Sequence, residues 1–93
     1  MFRMGYQQVR AEYYSKKTNF AAILLDVANK QGEPKVWTDM YTQAQNLSKE
    51  VLAVMPDDES AKANLKGATK SLQFRTEQVF QKSAELSIKL PHV

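Results

Sequence analysis

The chain has 93 residues, of which 43% are hydrophobic and 25% charged, a composition typical of one globular domain with a single modest core. It contains no cysteine, and its single histidine, His92, stands beside the last residue, so we do not expect a metalloenzyme or a redox enzyme. The net charge is only +3, and the longest apolar run, residues 20–25, is far shorter than the roughly 20 residues of a membrane-spanning helix.

The first third of the chain carries two apolar stripes at helical spacing. The first comprises Phe2, Tyr6, Val9 and Tyr13, and the second Phe20, Ile23, Leu24 and Val27, nearly in phase with it. Residues 16–19 between them have no apolar side chain, and Asn19 is a suitable cap for a new helix. The pattern fits one helix over 2–31 or two helices over 2–17 and 19–31. We favour two, with both stripes facing the core.

The middle third predicts a helix over 34–55. Its apolar residues recur at steps of three and four, and the polar residues fall on the opposite side. Pro34 suits the first position of this helix, and Gly32 suits the end of the helix before it.

The last third predicts a helix over 58–87. Pro56 ends the preceding helix, and Asp57 or Asp58 is expected to cap the new one. A heptad repeat follows, formed by Leu65, Leu72, Val79 and Leu86. Gly67 costs this helix up to about 1 kcal/mol relative to alanine, and tight packing against a neighbour is one reason to keep a glycine there.

These elements predict an all-α fold, an up-and-down bundle of three or four helices that forms one domain over residues 1–93. We assign five large side chains to its core: Trp37, Tyr41, Leu65, Leu72 and Val79.

The cations are grouped, although the net charge is small. Lys62, Lys66 and Lys70 are spaced by four and form a ridge on one helix face, which we call the lysine ridge. Like charges at this spacing are mildly destabilising, so the ridge indicates either docking to an acidic protein surface or simply a solvated face. A second basic group comprises Arg10, Lys16 and Lys17, and we predict docking for both groups.

The sequence shows no pattern of catalytic groups, and we expect neither an enzyme nor a bound cofactor or metal. The acidic residues 57–59 lie at a helix start, where capping explains them. Aromatic and basic residues interleave near Tyr14, which leaves a small nucleic-acid-binding protein as a third alternative. The ten acidic residues argue against it, and we expect a non-catalytic protein subunit instead.

The element Leu24-Leu25-Asp26-Val27, followed by Trp37, resembles the end of the first helix of a known family. Similar positions follow in the next two helices: Ala44, Leu47, Glu50, Val51, Val54 and Met55, then Leu65, Ala68, Thr69, Leu72 and Val79. Residues 24–83 thus resemble the PsbQ family, the small extrinsic subunits of photosystem II. The family's last helix, with its paired tyrosines, has no counterpart after Ser83.

The resemblance implies an accessory subunit of the thylakoid lumen that binds no cofactor. Such a subunit docks by basic patches on acidic subunits, peripheral to a membrane complex, and supports the oxygen-evolving side without catalysis. No export signal opens the chain, so we expect a protein that stays where it is made or a mature, trimmed form. The alternative is a tetratricopeptide-like scaffold or peptide-binding module, whose spacing is resembled by Tyr41, Ala44, Val51, Leu52, Pro56, Asn64, Leu65 and Ala68.

Overall fold

A computed structural model describes the backbone of residues 2–89 and the side chains of residues 9–85. Its three helices are α1 (Phe2–Lys30), α2 (Pro34–Val54) and α3 (Glu59–Lys89), and residues 2–89 contain no strand. The connections, residues 31–33 and 55–58, are short, so consecutive helices run antiparallel. The predicted all-α up-and-down bundle is confirmed with three helices; the four-helix version is wrong.

The predicted break near residue 18 does not occur, because α1 continues through the polar segment. Thr18 is buried, and its carbonyl accepts a hydrogen bond from Asn64 Nδ2 on α3 at 3.0 Å. Lys17 Nζ lies 2.7 Å from Glu50 Oε2 on α2. Since two of the four polar residues are held by neighbouring helices, tertiary contacts outweigh the missing apolar content.

The predicted starts of α2 and α3 are confirmed, but the predicted end of α1 differs. Pro34 occupies the first turn of α2, and Asp58 Oδ1 caps α3 by accepting a hydrogen bond from Ala61 N at 2.9 Å. Gly32 follows α1 without a positive φ angle, so α1 does not end in a left-handed glycine.

Arg75 of α3 satisfies the end of α1 instead. Its Nη1 donates to the carbonyl of Ala28 at 2.8 Å and to Tyr41 Oη at 3.2 Å, and its Nη2 donates to the carbonyl of Gln31. The guanidinium carbon lies 4.7 Å from the ring centroid of Trp37. A cation at a helix C-terminus is favourable, and this one joins all three helices at one end of the bundle.

The core is built largely from small side chains. Five alanines are fully buried: Ala21, Ala28, Ala44, Ala61 and Ala68. Ser48 is buried as well, and its Oγ donates to the carbonyl of Ala44 at 2.8 Å. On α1, four residues at steps of three and four face the other helices, and we call them the inner seam: Thr18, Ala21, Leu25 and Ala28. Leu24, beside this seam, is half-buried and packs against the same core. Small residues at these contacts allow the helices to approach closely.

The predicted core is confirmed in its centre and wrong at one end. Trp37 and Tyr41 are buried beside Ala28, and the half-buried Leu72 packs against them. Leu65 is also half-buried. Val79 is 41% exposed, because it lies one turn beyond Arg75, which already reaches the last residues of α1. Two further positions discussed above, Leu86 and His92, fall outside the described side chains.

Tight packing, which is one possible reason for a glycine at position 67, is not found there. A Cβ atom built there would meet Leu25 Cδ1 at 3.8 Å, an ordinary van der Waals distance. The bundle is elongated, with extents of 76 × 20 × 16 Å. Its length exceeds that of any one helix because the helices are staggered. The first residues of α1 project past the end of α2, and the last residues of α3 project past the end of α1.

Candidate functional site

The lysine ridge lies on the outside of α3. Lys62, Lys66 and Lys70 are all exposed. The Lys62 ammonium group lies 3.7 Å from Glu59 Oε1, an exposed pair that contributes little to stability. The ridge therefore presents its positive charge to solvent, where an acidic surface could meet it.

The second basic group is divided by the fold. Lys17 is half-buried and paired with Glu50, and its ammonium group lies 4.7 Å from the Tyr13 ring centroid. The hydrogen bond to Glu50, followed by one to Tyr13, raises the pKa of Lys17. Arg10 lies over the Tyr14 ring at 5.9 Å. Only Lys16, which is exposed, has none of these contacts.

A stripe of large apolar side chains runs along the outside of α1. Val9, Tyr13, Phe20 and Ile23 are each 50–65% exposed. With Lys16 and the half-buried Val27, they recur at alternating steps of four and three, and we call these six residues the outer stripe. The prediction that the stripes of α1 face the core is therefore wrong for these four exposed residues, whereas Phe2 and Tyr6 fall outside the described side chains.

A second set of positions with the same repeat explains this outcome. Thr18, Ala21, Leu25 and Ala28 also follow steps of three and four, but their side chains are mostly small. Two heptad patterns on one helix are a sequence signal for two contact surfaces. The more hydrophobic of the two patterns is not the buried one, so hydrophobicity alone does not predict which surface the other helices cover.

An open groove lies beside the outer stripe, between α1 and α2. It has a volume of about 770 Å³, and its apolar lining includes Leu24, Val36 and Met40. Leu24 lies one helical turn after Phe20, so the groove continues the apolar surface of the stripe onto α2. The polar residues of the groove include Asp39 and Gln43 on its α2 side.

Within the described part of the chain, no three histidine, cysteine, aspartate or glutamate side chains are grouped so that they could hold a metal ion. In the same residues, no helix is both long enough and apolar enough to span a membrane.

Comparisons with protein-family models, curated proteins and solved structures find no match for this chain.

Proposed function

We propose that this chain is a non-catalytic subunit of a larger assembly, which binds by burying the outer stripe of α1 and by docking its lysine ridge on an acidic surface. The exposed stripe is the observation that carries the proposal. Large apolar side chains on one continuous helix face are typical of a protein–protein contact surface. Here they stand outside a core to which α1 contributes mainly small side chains, Ala21 and Ala28 among them.

The two surfaces contribute in different ways. Burial of the outer stripe supplies non-directional binding free energy in proportion to the apolar area removed from water. The lysine ridge supplies charge complementarity, which speeds association and selects the orientation of docking. Binding through the ridge is salt-sensitive, because the Debye length falls from about 8 Å at physiological ionic strength to about 3 Å at 1 M.

The resemblance to the PsbQ family supports a more specific form of this proposal. In that form the chain is an extrinsic subunit in the thylakoid lumen, docked on acidic subunits at the oxygen-evolving side of photosystem II. The exposed lysine ridge and the net charge of +3 support such docking.

Co-sedimentation with photosystem II membranes stripped of their extrinsic subunits tests this form. We expect saturable binding at low salt and release at about 1 M salt. Replacing Lys62, Lys66 and Lys70 by glutamate is expected to weaken binding at least tenfold, which corresponds to about 1.4 kcal/mol. Far-ultraviolet circular dichroism should be nearly unchanged, because all three residues are exposed.

A second triple variant distinguishes an effect of the lysine ridge from an effect of the net charge. Lys35, Lys49 and Lys82 are also exposed, and replacing them by glutamate changes the net charge equally. We expect this variant to bind much like the wild type. An equal loss in both variants would show an effect of net charge and contradict the ridge. Absence of wild-type binding at low salt would contradict the photosystem form.

A further inference from the structure

We infer that the end of the bundle at which α1 connects to α2 holds a pocket for a small organic carboxylate, bound by Arg75 and Lys82 of α3. This pocket belongs neither to the lysine ridge nor to the outer stripe. It therefore adds a small-molecule ligand to the proposed docking function.

The pocket lies between α3 and the connection from α1 to α2. It is open to solvent and has a volume of about 210 Å³, which is room for about seven water molecules at roughly 30 Å³ each. The residues of its α3 side follow steps of three and four, so they share one helix face. The lining includes three polar and three apolar side chains: Arg75, Gln78 and Lys82, and Pro34, Trp37 and Val79.

The described lining of the pocket carries two positive charges and no negative one. The two charges belong to Arg75 and Lys82. Among residues 9–85, neither side chain takes part in an ion pair. The carbonyl end of α1 offsets only about half an elementary charge. An anion in the pocket is therefore attracted by both cations.

Arg75 keeps part of its hydrogen-bonding capacity for a ligand. A guanidinium group has five N–H donors. Arg75 uses three of them, for the carbonyls of Ala28 and Gln31 and for Tyr41 Oη. The N–H of Nε and one N–H of Nη2 have no partner among the described residues. No buried side-chain nitrogen there lacks a partner, so Nε is open to solvent. Two free N–H donors can serve the two oxygens of a carboxylate.

The guanidinium group of Arg75 is held in place before a ligand arrives. Its hydrogen bonds reach both α1 and α2, and its central carbon lies 4.7 Å from the ring centroid of Trp37. Tyr41 Oη, which accepts one of these bonds, donates in turn to Asn29 Oδ1 at 2.5 Å. A ligand therefore meets a cation whose position is already fixed, which lowers the entropic cost of binding.

The apolar part of the lining favours an organic acid over an inorganic anion. Pro34, Val79 and the Trp37 ring lie beside the charged groups. Methylene groups of a ligand gain free energy by covering these side chains. The volume of the pocket leaves room for only a short hydrocarbon part, so we expect a carboxylate of about the size of butyrate.

Tryptophan fluorescence tests the pocket directly, because Trp37 is the only tryptophan and lines it. Sodium butyrate is titrated against sodium chloride at constant ionic strength. We expect a saturable change in emission at millimolar butyrate. Butyramide and n-butylammonium chloride have a similar hydrocarbon part without the negative charge, and they should cause no such change. A response equal to that of chloride, or a response to inorganic phosphate but not to butyrate, would overturn the proposal.

A pair of lysine substitutions on α3 locates the site. Lys82→Gln removes one pocket cation at an exposed position. We expect it to weaken butyrate binding about fivefold, the effect of one unit charge at about 4 Å in water. Lys70→Gln is the matched control, because it removes the same charge from the same helix outside the pocket, and it should leave the affinity unchanged. Equal weakening in both variants would show a general charge effect and contradict the site.

Arg75→Lys tests the donors rather than the charge. It keeps the positive charge but removes the planar set of N–H groups, so we expect a loss of butyrate affinity of at least about tenfold. Arg75 also satisfies the end of α1, so circular dichroism is used to verify that the variant is folded. If it does not fold, Lys82→Gln and its control decide the outcome.

The two triple variants described above separate this pocket from the docking surface. Replacing Lys35, Lys49 and Lys82 by glutamate should abolish butyrate binding while membrane co-sedimentation is retained, and the lysine-ridge variant should show the reverse. Loss of butyrate binding in the lysine-ridge variant alone would overturn the pocket. A wild-type chain that binds butyrate but no membranes would contradict the photosystem form and leave the pocket established.

Discussion

The two faces of α1 differ in the size of their side chains and in what covers them. In the inner seam the three small residues, two alanines and a threonine, are buried, and the larger Leu25 is half-buried. The outer stripe carries Phe20, Ile23 and Tyr13, and all three are at least half exposed. The difference shows that close approach between helices, rather than hydrophobicity alone, selects the buried face.

The largest effect on stability is expected when an aromatic ring is removed from the core, and it is compared with the removal of one from the outer stripe. We expect Trp37→Ala to lower the free energy of unfolding by about 3–5 kcal/mol, because Trp37 is only 3% exposed and packs with Ala28 and Tyr41. Phe20→Ala should cost about 1 kcal/mol or less in the monomer, since its ring is already half in water.

Urea denaturation followed by circular dichroism measures both variants, and it suits the purpose because Trp37 is the only tryptophan and its fluorescence is lost on substitution. Equal losses in dilute protein would remove the distinction between core and outer stripe.

An effect of intermediate size is expected when a larger side chain is introduced into the inner seam. We expect Ala21→Leu to destabilise the chain by about 1–3 kcal/mol, because Ala21 is fully buried against Ala44 and Ala68. The neighbouring Ala22→Leu adds the same atoms to an exposed position and should change stability by no more than about 0.5 kcal/mol. The melting temperatures of the two variants are compared with that of the wild type. An Ala21→Leu variant as stable as the wild type would show that the inner seam is loosely packed.

The smallest effect is expected at Gly67, where the substitution tests how closely α3 packs against α1. Gly67→Ala should raise the free energy of unfolding by up to about 1 kcal/mol, because alanine favours the helix and its methyl group meets Leu25 only at van der Waals distance. The comparison is made by urea denaturation against the wild type. A lower stability would mean that α3 approaches α1 more closely at this position than the contact distance indicates.

Much of the fold follows from local patterns. Spacing of three and four predicts helices throughout, and Pro34 and Asp58 mark the starts of α2 and α3 correctly. The lysine ridge is exposed as its spacing indicates, although its docking role remains a prediction. The apolar residues of the outer stripe are visible in the sequence, but the expectation that they face the core fails, because the sequence does not show which of two heptad patterns a neighbouring helix covers.

Local sequence patterns are sufficient to predict that the chain is helical, where α2 and α3 begin, and that Trp37 and Tyr41 belong to the core. These features depend on residues close together in the chain, through backbone hydrogen bonding, capping and helical periodicity. Contacts between the helices are what make α1 continuous, let Arg75 satisfy carbonyls at its end, and bury Ala21 and Ala28 while Phe20 and Ile23 stay outside. Those outcomes depend on contacts between residues 33 to 47 positions apart, which no local pattern contains.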